Sequence, residues 1–73
     1  MVSLPESFPD RLKILRERND LTQAKLAEII GVHYMTISDY EHDKRQPGAF
    51  ILCCLADYFH VTTDYLLGRS DRR

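Results

Sequence analysis

The side chains of this 73-residue chain with chemistry to offer include three histidines, two cysteines, four tyrosines and ten lysines and arginines. Their spacing argues for contact rather than catalysis. No nucleophile stands beside a base, no glycine loop could cradle a phosphate, and no carboxylate pair falls in a recognisable cleft, so no catalytic residue is assigned. Cys53 and Cys54 are adjacent and cannot easily bridge each other. Neither has a CxxC partner or a histidine at zinc-ligand spacing, and both read as reduced thiols of an intracellular protein. His33 and His42 lie nine positions apart, at opposite ends of one expected helix, and read as surface residues or phosphate donors. Metals, cofactors and small-molecule ligands are therefore not expected. The remaining polar chemistry is concentrated in HDKRQP, His42 to Pro47, with Lys44 and Arg45 as neighbouring cations.

The element that must position these groups is QAKLAEIIGVHYMTISDYE, Gln23 to Glu41. Ala27 stands four residues before Gly31, Val32 follows directly, and Ile37 comes six residues after the glycine. A small residue at 27 lets two helices approach closely, and Gly31 can take the positive φ of a helix C-cap. Leu26, Ile30, Val32 and Ile37 would bury the angle between them. This spacing predicts a helix-turn-helix, whose second helix is presented to the major groove of DNA.

Three further helices complete the expected fold. The first runs from about Phe8–Pro9 to Asn19, with Pro9 and Asp10 in its first turn and Leu12 and Leu15 facing inward. Thr22 caps the second helix, which Gly31 stops. The third covers His33 to Glu41, with Ile37 and Tyr40 inward; His33 stands where Ser or Thr would cap better. The fourth, Ala49 to Phe59, carries Leu52, Leu55, Ala56 and Phe59 on one stripe and Phe50, Ile51, Cys54 and Tyr58 on another. A helix apolar on two sides needs a second cover. Thr62 caps a short fifth helix that ends at Gly68. Residues 1–7 read as a flexible lead-in, 8–68 as one domain and 69–73 as a polar tail, with no internal repeat. No secretion signal or bilayer-spanning run is visible, so the cytoplasm is the expected location. The formal net charge is −1, a mild argument against nucleic acid, although affinity depends on where the cations lie.

RLKILRERNDLTQAKLAEIIGV, TISDYEHDKRQP and LADYFHVTTDYLLG, in this order and spacing, resemble the Cro/repressor-type helix-turn-helix regulators, the xenobiotic response element family. The likeness covers about residues 8 to 68. It implies an all-α, compact five-helix lambda-repressor-like domain with the helix-turn-helix at helices 2 and 3. It implies double-stranded operator DNA as partner, a homodimer, and no membrane partner. By position, it makes His33, Tyr34, Met35, Ser38 and Asp39 base-facing. Thr22, Gln23, Thr36, Lys44 and Arg45 become phosphate contacts. Arg16 and Glu41 become a structural ion pair. The departure lies in the recognition helix, which has no Arg, Lys, Asn or Gln between His33 and Glu41, the types that read guanine and adenine in two-pronged fashion.

Two alternatives stay open. The chain is a dimeric repressor acting by operator occupancy, or a protein-interaction module, antitoxin-like or adaptor, that keeps the fold. The second stripe of the fourth helix, Phe50, Ile51, Cys54 and Tyr58, is a dimer interface, or is covered within one subunit by the fifth helix or the N-terminal segment.

Overall fold

The computed structural model describes residues 7–71, and its elements are five helices: α1 (Phe8–Arg18), α2 (Gln23–Ile30), α3 (Tyr34–Glu41), α4 (Ala49–Phe59) and α5 (Thr63–Leu66). Most starts have a local cause. Ser7 precedes α1 in extended backbone, and its hydroxyl donates to Asp10 Oδ2 at 3.0 Å. Thr22 Oγ1 accepts from the Lys25 amide, and Thr62 Oγ1 from the Tyr65 amide, each at 3.0 Å. Apart from Ser7, the expected lead-in 1–7 lies outside the described residues.

The α2–α3 elbow turns on Gly31, at φ 88° and ψ 33°. Its amide and that of Val32 converge on the Ala27 carbonyl, at 2.8 and 2.9 Å, satisfying the end of α2 while the chain reverses. Three other turns use the left-handed region without glycine: Asp20, Asp43 and His60, at φ 56°, 57° and 57°.

Every helix contributes one fully buried aliphatic side chain to a shared core: Leu12, Leu26, Ile37, Leu55 and Leu66. Phe8, Leu15, Ala27, Tyr40 and Ala56 fill around them, with Phe8 and Tyr40 meeting edge to face, centroids 5.9 Å apart. Ala27 is buried where α2 crosses toward α3, and its small size permits the close approach. The two-stripe reading of α4 needs correcting at one residue: Ile51 packs against this core together with Leu52 and Phe59.

Arg11 is also buried, at 4% exposure, though nothing in its sequence neighbourhood announces it. Its guanidinium donates to the Tyr65 carbonyl at 2.7 Å, the Ser70 carbonyl at 2.6 Å and Asp71 Oδ1 at 2.7 Å. It also lies over the Tyr65 ring, 4.4 Å from the centroid. The first part of the polar tail is thereby tied to α1.

Candidate nucleic-acid interface

A polar node fixes the attitude of α3. The Glu41 carboxylate, with only 2% of its side chain exposed, accepts from Arg16 Nε at 2.7 Å and Arg16 Nη2 at 3.0 Å. It also accepts from Gln23 Nε2 at 3.1 Å. Arg16 Nη1 donates to the Leu21 carbonyl at 2.7 Å, which secures the turn into α2. One carboxylate therefore joins α1, the start of α2 and the end of α3. The hydrogen bond to Glu41 raises the Arg16 pKa above its usual value despite burial.

With Ile37 and Tyr40 turned into the core, the opposite side of α3 is left to solvent. Tyr34 and Met35 are half exposed, at 51% and 50%. Thr36, Ser38 and Asp39 are partly exposed, and His33 is open to solvent. Eight residues make a helix about 12 Å long, comparable with the width of the B-DNA major groove.

His33 corrects the expectation of a weak cap. The helix proper begins at Tyr34, and His33 Nδ1 accepts from the Met35 amide at 3.1 Å. The imidazole replaces the oxygen of a Ser or Thr cap, and its ring lies 4.7 Å from the Tyr34 ring, tilted by 32°.

The phosphate-facing candidates occupy two ends of this surface. Thr22 is the α2 cap, with its hydroxyl hydrogen still able to donate, and it stands at the positive end of the α2 dipole. Gln23 spends one amide hydrogen on Glu41 and retains the other. Beyond α3, Lys44 and Arg45 are exposed, and Arg45 Nε lies 4.0 Å from Asp39 Oδ2. That contact was not legible in the sequence: it partly neutralises the one acid among the base-facing candidates, and partly occupies one of the two cations. At the C-cap, His42 Nδ1 lies 2.8 Å from the Ser38 carbonyl and 3.4 Å from Ser38 Oγ.

The dimer candidates divide. Phe50 is 77% exposed and Tyr58 is partly open, Cys54 is half-buried as a free thiol, and Ile51 leans on the core. Among the described residues, no cluster of His, Cys, Asp and Glu could hold a metal ion, and no helix is long and apolar enough to cross a membrane.

Comparison with known proteins gives these surfaces a context. A helix-turn-helix family model matches residues 12–66. The chain is 37% identical over 65 residues to the HTH-type transcriptional regulator ImmR of Bacillus subtilis, covering 89% of this chain and 51% of that relative. It is 40% identical over 64 residues to the HTH-type transcriptional activator BcrR of Enterococcus faecalis, covering 88% of this chain and 31% of that relative. It thus spans about half of one relative's length and about a third of the other's. Among solved structures, it resembles the P22 c2 repressor in complex with a synthetic operator, with TM-score 0.83 and 26% identity over 90% of this chain and 100% of that one.

Proposed function

This chain belongs to the helix-turn-helix family, in its Cro/repressor-type form, and on that premise we propose that it is a sequence-specific DNA-binding transcriptional regulator of the cytoplasm, a dimeric repressor that works by occupying its operator. The observation that carries this reading is the Arg16–Glu41–Gln23 node, which holds α3 with Tyr34 and Met35 outward, between the start of α2 and the Lys44–Arg45 pair. The P22 c2 repressor, of the same fold, was solved on operator DNA.

In this reading α3 enters the major groove and excludes other proteins from the site. Thr22, Gln23, Thr36, Lys44 and Arg45 hold phosphates and set the register. His33, Tyr34, Met35, Ser38 and Asp39 face the bases. Tyr34 and Met35 pack on thymine methyls, Ser38 makes one adaptable hydrogen bond, and Asp39 accepts from a cytosine amino group. Specificity then rests on apolar fit more than on two-pronged hydrogen bonds. Dimerisation through Phe50, Cys54 and Tyr58, with Ile51 at its inner margin, doubles these contacts over half-sites about 34 Å apart. The sign of regulation follows the likeness to the P22 repressor; BcrR is named an activator, and an operator-driven reporter separates the two.

The test is a titration of random-sequence duplex followed by anisotropy as salt is raised. Affinity should fall linearly on logarithmic axes, and Lys44→Ala should weaken all sequences alike while reducing the slope by about one. Sedimentation should show a dimer that Phe50→Asp converts to monomer. The half-exposed Tyr34 and Met35 favour a second reading, a protein-docking face. No duplex binding at low salt, together with a co-purifying protein, would establish that reading instead.

A further inference from the structure

We infer that His42 is an additional DNA-backbone contact of this interface, one that engages phosphate only after taking up a proton at Nε2. The inference rests on the DNA-binding reading above, and it begins from the hydrogen bonds at the two ends of α3.

At the N-terminal end, His33 Nδ1 accepts from the Met35 amide. The acceptor nitrogen must be bare, so the ring proton sits on Nε2 and the imidazole is neutral. A second proton, on Nδ1, would break the cap. At the C-terminal end the requirement is reversed. His42 Nδ1 lies 2.8 Å from the Ser38 carbonyl. A carbonyl oxygen only accepts, so His42 must carry its proton on Nδ1. The two histidines that bracket the recognition helix are therefore held in opposite tautomers.

The consequence for DNA lies in the second nitrogen of His42. In the neutral ring Nε2 is a bare lone pair, which phosphate oxygens repel. The imidazolium keeps its Nδ1–H bond to Ser38 and gains an outward N–H donor and a positive charge. Protonation breaks nothing at this end of the helix, and the carbonyl end of a helix favours a cation.

The position suits a backbone contact. His42 is exposed and stands one turn beyond Ser38, so the two share a face of α3, with the ring 3.4 Å from Ser38 Oγ. Lys44 and Arg45 follow within three residues. The surrounding charges do not fill the role. Glu41 is committed to Arg16 of α1 and to the uncharged Gln23 of α2. Asp39 faces Arg45 at 4.0 Å. Asp43 is exposed next to His42, in left-handed backbone.

Binding is then coupled to a proton at His42 Nε2, and affinity tightens on acidification. The experiment measures binding of the full chain to random-sequence duplex at constant ionic strength, at about pH 6 and about pH 8. Wild type and the His33→Ser variant, which keeps a cap, should tighten by about threefold or more per subunit on acidification. His60→Gln, which removes the remaining histidine, should behave as wild type. His42→Gln should lose the pH dependence and match the weak, alkaline affinity of wild type. In the free protein, long-range proton–nitrogen spectra should show Nδ1–H at His42 and Nε2–H at His33.

Binding whose pH dependence survives in His42→Gln, or a spectrum with His42 protonated on Nε2 alone, overturns the inference and leaves the DNA-binding reading intact. No binding to duplex at either pH overturns both.

Discussion

The Arg16 guanidinium meets the Glu41 carboxylate in a two-pronged pair, Nε to Oε2 at 2.7 Å and Nη2 to Oε1 at 3.0 Å, bridging 25 positions of sequence. With Glu41 almost wholly enclosed, neither charge has ready access to water as a substitute partner. Glu41→Gln or Arg16→Met should each cost about 3–5 kcal/mol in urea unfolding, because the surviving charge is left unpaired. Removing both charges, as Arg16→Met with Glu41→Leu, should recover much of that loss. A double variant as unstable as the worse single one would mean that packing, not charge pairing, sets the cost.

Backbone strain makes a second prediction, with opposite signs at two helix ends. A Cβ at Gly31 would meet no heavy atom within 4 Å, so only the conformational penalty of φ +88° opposes a side chain there. Gly31→Ala should cost about 1–2 kcal/mol. His60 already bears that penalty, at φ 57° as the C-cap of α4. His60→Gly should raise stability by up to about 1 kcal/mol. Thermal melts of the two variants should move in opposite directions.

The Asp39–Arg45 contact predicts that affinity and selectivity can be separated. Asp39→Asn removes an anion from the exposed side of α3 and frees Arg45, whose Nε lies 4.0 Å from the carboxylate. Binding to random duplex should tighten, and its salt slope should steepen by up to about one. If Asp39 faces a base, as proposed above, preference at that base should relax in a selection from random sequence. Unchanged affinity and slope would show that Arg45 is already free to reach phosphate in the wild type.

The buried Tyr40 ring predicts alkaline sensitivity. Burial pushes its phenol above the usual 10.0, with Arg45 pulling weakly the other way. The folded state therefore holds this proton more tightly than the unfolded chain. Its stabilising contribution is complete below about pH 10 and is lost as pH rises through the higher folded value. Melting temperature should fall more steeply above pH 10 in wild type than in Tyr40→Phe; parallel profiles would assign the alkaline loss to other groups.

Helix starts and the elbow were readable from residue types because their causes are local, whereas the fifth helix ends at Leu66, short of the expected Gly68. Thr22 and Thr62 each accept from an amide three residues on, and Gly31 supplies the positive φ that closes α2. Periodic apolar spacing likewise located Leu12, Leu15, Leu26, Ile37, Tyr40 and Leu55 in the core. The His33 cap was misread although it is just as local. An imidazole caps only when χ angles aim Nδ1 at the amide, and composition does not specify that orientation.

What the tertiary structure alone decided is the choice of partners for charges and for the margins of the apolar stripes. Arg11 looks like an ordinary helix-surface cation, yet it is buried against acceptors 54 to 60 positions away. Arg45 has Asp39 beside it, and Ile51 leans inward while Phe50 stays out. A cap or a turn depends on atoms within four residues and is written in their types. A charge chooses among all the groups that folding brings near it, and an apolar residue at a stripe's edge is drawn to whichever helix arrives. The sequence thus determined the helices and the shape presented by α3, while the packing of α1, α2 and α5 decided which charges brace that shape and which remain exposed.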